Sequence, residues 1–330
     1  MTNTIDSFQK GSALENYNIW IDCDPGHDDV VALTLAACAG HCKILGVSTV
    51  HGNTTLEFTT KNALAVMELL NQDVDVHAGA AKPLMRESAF ATHIHGTNGL
   101  AGISLLPDYP KKKATPDAVF AMYTTISNYP EPVTLVATGP LTNIALLLAT
   151  YPSVTDNIER FIFMGGSTGI GNITSQAEFN VYADPEAARL VLETKSLIGK
   201  LFMVPLDVTH KVLLDANIIQ LLRQHSNPFS STLVELMTVF QQTYENVYGI
   251  RNGVPVHDVC AVALALWPSL WTSRSMYVTV SLDSLTLGRT VCDVWSQQNQ
   301  YPANVHVVLE ADVSLFWETF IGVIDRLNYL

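Results

Sequence analysis

Apolar runs of strand length alternate with stretches of helical period along most of the chain. Ile19-Trp20-Ile21 reads as a buried strand and Val30 to Ala39 as a short apolar helix. Ile44 to Val50 is a second strand. Thr59 to Leu70 is a helix with Ala63, Val66, Met67 and Leu70 along one side. Asp75 to Ala78 is a short strand. Lys82 to Pro110 has no strong period and several Gly and Pro residues, so it reads as a long loop. Such loops in compact domains are often functional. Pro116 to Asn128 is a helix with proline near its start. Pro132 to Ala137 and Arg160 to Met164 are strands, with a helix from Ile144 to Ala149 between them. A loop rich in Gly and Asn runs on to Asn180, a helix spans Asp184 to Thr194, and Leu201 to Pro205 is a strand.

The last third is mainly helical at first: Asp215 to His225, Ser231 to Val247, and a helix opened by Val256-His257-Asp258 that runs to Leu266. Met276 to Val280, Gly288 to Asp293 and Val305 to Leu309 alternate as strands do, and Asp312 to Leu327 is a closing helix. This alternation predicts an α/β fold with a largely parallel, doubly wound, Rossmann-like sheet and helices on both faces. The mainly helical C-terminal part is expected near the site. No repeat, low-complexity tract or linker divides the chain. Residues 1–330 are therefore read as a single domain, with 1–17 as a polar N-terminal extension.

Polar residues collect where the expected strands end, and in open α/β sheets ligands bind there. The densest cluster is IDCDPGHDD, with Asp22, Asp24, Asp28 and Asp29 inside eight residues. Pro25-Gly26 makes the turn sharp. Four carboxylates this close repel one another, and no Lys or Arg occurs between Gly11 and His41. A hard divalent cation is the natural partner: calcium takes six to eight oxygens at about 2.3–2.6 Å. An acidic turn that caps a helix is the simpler reading, but four aspartates exceed what a cap needs.

Composition narrows the function class. Hydrophobic residues make up 48% and charged residues 15%, as in a globular enzyme rather than a disordered chain. A net charge of −13 argues against a nucleic-acid partner and against an anionic membrane surface. The five cysteines are odd in number and form no CxxC pair, which points to free thiols in a reducing, cytoplasmic compartment. The polar N-terminus has no apolar leader, and no uninterrupted apolar stretch reaches membrane-spanning length.

DCDPGHDD, HGN, a GTNGL loop after a histidine, ATGPLTN, FMGG, GNITSQAEFNVYADPEAA and PVHD follow one another along the chain. Together they resemble the inosine–uridine-preferring nucleoside hydrolases, in family order and over most of the length. The resemblance implies hydrolysis of the N-glycosidic bond of ribonucleosides, in nucleoside salvage, with one calcium ion deep in the site. By motif position it implies Asp24, Asp29, Asp258 and the backbone carbonyl of Thr138 as metal ligands, with Asp22 orienting them. Asp28 is implied as the general base that takes a proton from water.

Asn53, Asn172, Glu178 and Asn180 match the family's ribose-binding positions. Amides and a carboxylate suit a sugar, whose hydroxyls need fixed partners, and an oxocarbenium-like transition state favours nearby negative charge. Met164 matches an apolar contact under the sugar, although core packing at a strand end accounts for it equally. His95 and His257 match histidines that face the base, and His257 is implied as a group that protonates or hydrogen-bonds it. His93 is expected at the solvent. Tyr244 and Tyr248 lie one turn apart on the helix before PVHD. Helix spacing alone leaves open whether they close over the base or pack in the core.

The base half of the site is less legible. The resemblance is stronger to uridine nucleosidases than to the purine-specific branch, in which tryptophans stack on the base. No Trp occurs in Lys82 to Gly102 or Thr238 to Gly253. Uridine and other pyrimidine ribosides are the expected substrates, with inosine and nicotinamide riboside as alternatives. The family implies a homodimer or homotetramer. Three rivals fit less well. A haloacid-dehalogenase-like phosphotransferase lacks its lysine-bearing phosphate site. An EF-hand begun at Asp22 would need glutamate where Leu33 stands, and GxGxxG from Gly169 would need glycine at Thr174. A protein that binds nucleosides without cleaving them shares the same pattern apart from any need for Asp28.

Overall fold

The computed structural model describes residues 6–7, 17–100, 110–224, 228–297 and 301–326. Its strands, in chain order, begin with β1 (Asp6–Ser7), β2 (Tyr17–Cys23), β3 (Cys42–Thr49), β4 (Val76–Ala78) and β5 (Thr115–Pro116). They continue with β6 (Val133–Ala137), β7 (Ile158–Met164), β8 (Leu201–Val204), β9 (Leu213–Leu214) and β10 (Val254–Pro255). The last four are β11 (Trp271–Met276), β12 (Val278–Val280), β13 (Thr290–Cys292) and β14 (Val305–Ala311). The helices are α1 (His27–Cys38), α2 (Leu56–Leu69), α3 (Thr92–His95), α4 (Ala118–Asn128), α5 (Thr142–Thr150) and α6 (Phe179–Ala183). They continue as α7 (Pro185–Leu192), α8 (Leu206–Thr209), α9 (Ala216–Gln224), α10 (Pro228–Tyr248), α11 (His257–Leu266) and α12 (Val313–Arg326).

Ten strands form one sheet in the order β1-β11-β14-β8-β7-β6-β2-β3-β4-β5. From β14 to β5 every neighbouring pair is parallel, whereas β11 and β1 add an antiparallel edge. The chain leaves β2 through β3, β4 and β5, then returns to the other side of β2 to lay down β6, β7 and β8. That reversal opens a crevice at the carboxyl ends of β2 and β6, the position where doubly wound sheets bind ligands.

Both faces of the sheet are covered, and the strands are apolar on both sides as a result. Ile19, Ile21 and Cys23 of β2 join one core with residues of α1, α2, α10, α11 and α12. Trp20, between them, joins a second core with residues of α4, α5 and α7. The single α/β domain expected from sequence is therefore visible residue by residue, since neighbours in a strand point to opposite faces. No helix among the described residues is long and apolar enough to cross a membrane. All five cysteines are free thiols.

Several boundaries differ from the sequence expectation. Helix α1 begins at His27, three residues early, so Asp28 and Asp29 sit in its first turn. The expected loop from Lys82 contains the one-turn helix α3, and residues 101–109 of it lie outside the described residues. Strand β11, Trp271-Thr272-Ser273-Arg274-Ser275-Met276, has no apolar run and escaped notice. It lies near the sheet's edge, where half-polar strands are tolerated. Of the polar N-terminal extension, Asp6–Ser7 pairs with Ser273 and Thr272, and most of the remainder lies outside the described residues.

Candidate active site

Helices α1 and α11 lie almost wholly inside the first core; every residue of α11 is buried. A helix that is apolar on all sides belongs in an interior. The amino-terminal turn of each carries aspartates: Asp28 and Asp29 on α1, Asp258 on α11. One carboxylate oxygen from each of these three lies within 4.8 Å of the others. The positive ends of two helices thus face three acids.

Each acid is held differently. Asp29 accepts hydrogen bonds from the Gly26 backbone N–H (2.9 Å), Asn53 Nδ2 (3.1 Å) and the Thr138 hydroxyl (2.8 Å). Asp28 accepts a long one, 3.4 Å, from the Asp258 backbone N–H. Asp24 accepts from the Asn53 backbone N–H at 2.7 Å through Oδ2, while its Oδ1 is buried without a hydrogen-bond partner. A Cβ on Gly52 would lie 2.0 Å from Asp24 Oδ2, and one on Gly139 2.7 Å from Oδ1. Only glycine lets both loops approach this carboxylate. Asp22 accepts from Ser48 Oγ (2.5 Å) and Asn143 Nδ2 (2.7 Å), and its Oδ2 is likewise without a partner.

Burial pushes the pKa of Asp22 up to about 7 despite its two hydrogen bonds. Burial also raises Asp24, Asp28, Asp29 and Asp258, and the charges of neighbouring carboxylates add to the rise for Asp24, Asp28 and Asp258. Buried acids with unpartnered oxygens and only one another as charged neighbours match the oxygen donor set of a hard divalent cation. The group that meets most closely is Asp28, Asp29 and Asp258. Asp24, expected from sequence beside Asp29 and Asp258, lies outside that trio, but Asn53 joins it to Asp29, its backbone N–H donating to Asp24 Oδ2 and its Nδ2 to Asp29 Oδ2.

Twelve of the fifteen residues expected at the site line a single cavity. Asp28, Asp258, Asn53, Thr138, Met164, Asn172, Glu178 and Asn180 are among its lining residues. Glu178 caps α6, accepting from the backbone N–H groups of Asn180 (2.8 Å), Val181 (3.1 Å) and Gly166 (2.9 Å). Burial nevertheless lifts its pKa to about 7. Asn180 Nδ2 donates to the Thr138 carbonyl at 2.7 Å and to that of Met164 at 3.2 Å. The Thr138 carbonyl, expected from sequence to face a metal, has a second lone pair left for one. Asn172 Oδ1 accepts from the Phe179 N–H at 2.8 Å. Asp22, Asp24 and Asp29 are buried and are not among the lining residues.

His95, Tyr244, Tyr248 and His257 line the same cavity. The His257 ring is fixed at both nitrogens: Nδ1 lies 2.7 Å from the Thr209 hydroxyl and Nε2 2.7 Å from the Tyr244 hydroxyl. Burial, then the proximity of His210, lowers its pKa well below the usual imidazole range. Burial, then the charge of Asp28, raises the Tyr244 phenol. Tyr248 is half-buried and donates to the Asn172 carbonyl at 3.2 Å. The two tyrosines therefore face the cavity, which helix spacing alone left open. His93 is exposed, as expected, but also lines the cavity. Sequence reasoning missed Phe240, whose ring stacks on His95 with centroids 5.4 Å apart and meets Tyr244 edge-on. The i, i+4, i+8 spacing of Phe240, Tyr244 and Tyr248 was the available clue. Thr209 and His27, which hold His257 and His95, were missed for want of any local pattern.

The sequence matches the family Inosine-uridine preferring nucleoside hydrolase over residues 19–318. Pyrimidine-specific ribonucleoside hydrolase RihA of Escherichia coli (strain K12) is 38% identical over 314 residues, 94% of this chain and 98% of that protein. RihA of Shewanella oneidensis is 41% identical over 295 residues, 88% of this chain and 90% of that protein. Among solved structures, the purine-preferring ribonucleoside hydrolase from Gardnerella vaginalis aligns with a TM-score of 0.86 at 29% identity, covering 94% of this chain and 98% of that one. A match that runs from the first long strand into the last helix places the chain in the inosine-uridine preferring nucleoside hydrolase family, as an enzyme that hydrolyses the N-glycosidic bond of ribonucleosides.

Proposed function

We propose that the enzyme is a calcium-dependent hydrolase of pyrimidine ribonucleosides, uridine first among them, with Asp28 as its general base. The observation that carries this reading is the meeting of Asp28, Asp29 and Asp258 beside a cavity that Asp28 and Asp258 line together with Asn53, Asn172, Glu178 and Asn180. The pyrimidine preference is supported by the two RihA relatives, both named pyrimidine-specific and both nearer in sequence than the purine-preferring structure. It is also supported by the cavity lining, in which Phe240, Tyr244 and Tyr248 are present and tryptophan is not.

Asp24, Asp29, Asp258 and the Thr138 carbonyl would hold the cation, with Asp22 steadying the loops behind. Bound there, calcium supplies the positive charge that offsets these carboxylates and acidifies water in the site. Asp28 accepts a proton from the attacking water as its oxygen bonds to C1′ and the C1′–N bond breaks. Asn53, Asn172, Asn180 and Glu178 fix the ribose hydroxyls, and Met164 supports the sugar from below. The carboxylates favour the positive charge that gathers on the ribose ring. The electron pair of the broken bond goes to the base, and a proton from the Tyr244–His257 pair or from solvent neutralises it. Assembly as a homodimer or homotetramer and a cytoplasmic location belong to the same proposal.

Release of reducing sugar from uridine and from inosine, with and without prolonged chelation, tests the proposal. Ribose release without added phosphate, faster from uridine and lost on chelation, is the expected result. Faster release from inosine would overturn the base preference. Full activity after calcium has been removed would overturn the metal.

A further inference from the structure

His27, between the turn and the aspartates of α1, has no part in the mechanism so far. Its ring runs parallel to that of Phe240, with centroids 5.1 Å apart, and its centroid lies 5.3 Å from that of His95; all three rings are buried. Two of its nitrogens reach one atom of His95: the His27 backbone N–H donates to His95 Nδ1 at 3.2 Å, and His27 Nδ1 lies 3.0 Å from the same Nδ1. A backbone N–H can only donate, so His95 Nδ1 is an acceptor and carries no proton. Of two facing ring nitrogens one must donate, so His27 Nδ1 carries the proton between them. A neutral His95, which burial favours, then has its single proton on Nε2. That nitrogen makes no hydrogen bond with any described residue, and the ring lines the cavity. Gly26 makes the arrangement possible, because a Cβ there would lie 2.5 Å from His95 Nδ1.

We propose that His27 is a positioning residue that locks His95 in its Nε2–H form, so that His95 is a fixed donor selecting bases with a carbonyl oxygen beside the glycosidic nitrogen. The 2-oxo group of a pyrimidine is such an acceptor. It gains negative charge as the C1′–N bond breaks, so a donor aimed at it stabilises the transition state more than the bound substrate. The substrate half of this inference rests on the pyrimidine reading above, whereas the tautomer does not.

The test uses the full-length enzyme and three forms: unaltered, His27→Phe and His27→Asn. Phenylalanine keeps the stack and removes the side-chain donor; asparagine returns a donor near the position of Nδ1. Ring nitrogen-15 spectra, with His95 assigned by its loss in His95→Phe, report the tautomer without substrate. Hydrolysis is then measured on uridine and on p-nitrophenyl riboside, whose leaving group has no ring carbonyl. The expected result is a proton on His95 Nε2, and a fall in kcat/KM on uridine of about tenfold in His27→Phe, mostly in kcat. The fall on p-nitrophenyl riboside should be several-fold smaller, and His27→Asn should restore uridine to within about twofold. A proton on His95 Nδ1 in the unaltered enzyme, an equal fall on both substrates, or no fall on uridine overturns the inference. Should the unaltered enzyme cleave p-nitrophenyl riboside but not uridine while His95 carries its proton on Nε2, the lock stands and the pyrimidine reading fails.

Discussion

Asp28 is held more loosely than Asp29: it accepts the Asp258 backbone N–H at 3.4 Å, where Asp29 accepts three shorter hydrogen bonds. An acid that must take a proton needs free lone pairs, whereas one that must stay in place does not. Asp28→Asn is therefore expected to lower kcat by about a thousandfold or more while leaving uridine binding near normal. Steady-state rates together with calorimetric titration of uridine check this, and a near-normal rate would remove Asp28 from the role of base. His51 gives a prediction about pH. Burial lowers its pKa from 6.5 to about 4. A folded-state value below the unfolded one means that its contribution is full above pH about 6.5 and is lost as pH falls through about 4. The loss amounts to roughly 3 kcal/mol. The buried acids, whose pKa values are raised, change stability in the opposite direction over this range, so the loss is read from urea unfolding at pH 7 and pH 4 of the unaltered enzyme and of His51→Gln: on going to pH 4 the unaltered enzyme should lose more stability, or gain less, than the variant. At this scale the sequence was most legible where charge was concentrated: DPGHDD announces itself. Phe240, Thr209 and His27 were not legible, because their roles come from partners 145, 48 and 68 positions away.

Among the elements, the strands of the central sheet were readable because burial on both faces leaves mostly apolar residues in them. Strand β11 was not, because its place next to the sheet's edge relaxes that requirement. Helix α1 shows a subtler limit. Its apolar period begins at Val30, but Gly26 as cap and the aspartates in the first turn extend it back to His27. The contact between β2 and β3 is a further case. Trp20 lies across Gly46, where a Cβ would stand 2.4 Å from its ring, and its indole N–H donates to Ser48 Oγ at 2.9 Å. Ser48 in turn donates to Asp22. Gly46→Ala should push a buried ring that has no room to yield, at a cost of about 1–3 kcal/mol. The thermal midpoint should fall, and because Trp20 leads through Ser48 to Asp22, kcat should fall with it. A variant as stable as the unaltered enzyme would mean that the two strands slide apart cheaply.

At the scale of the whole molecule, the site joins residues from both ends of the chain: Asp28 and Asp258 are 230 positions apart. Sequence pattern placed Asp28 in the turn before one helix and Asp258 at the start of another, but only the order of the sheet brings the two helices side by side. That arrangement has an energetic consequence. The fold gathers buried acids whose chief neighbours are one another, so without a cation the folded state bears a repulsion that the unfolded chain does not. A cation that binds only the folded state stabilises it by about 2.7 kcal/mol at a hundredfold excess over its dissociation constant. The thermal midpoint of the chelated protein should therefore rise steadily as calcium is restored, over the same concentrations that restore uridine hydrolysis. Magnesium should serve less well, since it is smaller and gives up its water reluctantly. Activity that returned with calcium while the midpoint stayed fixed would separate the two effects, and would mean that the acids are neutral rather than repelling in the metal-free fold. Coincident curves would identify the cation as a structural member of the domain as well as part of its chemistry, joining α1 and α11 across the switch point of the sheet.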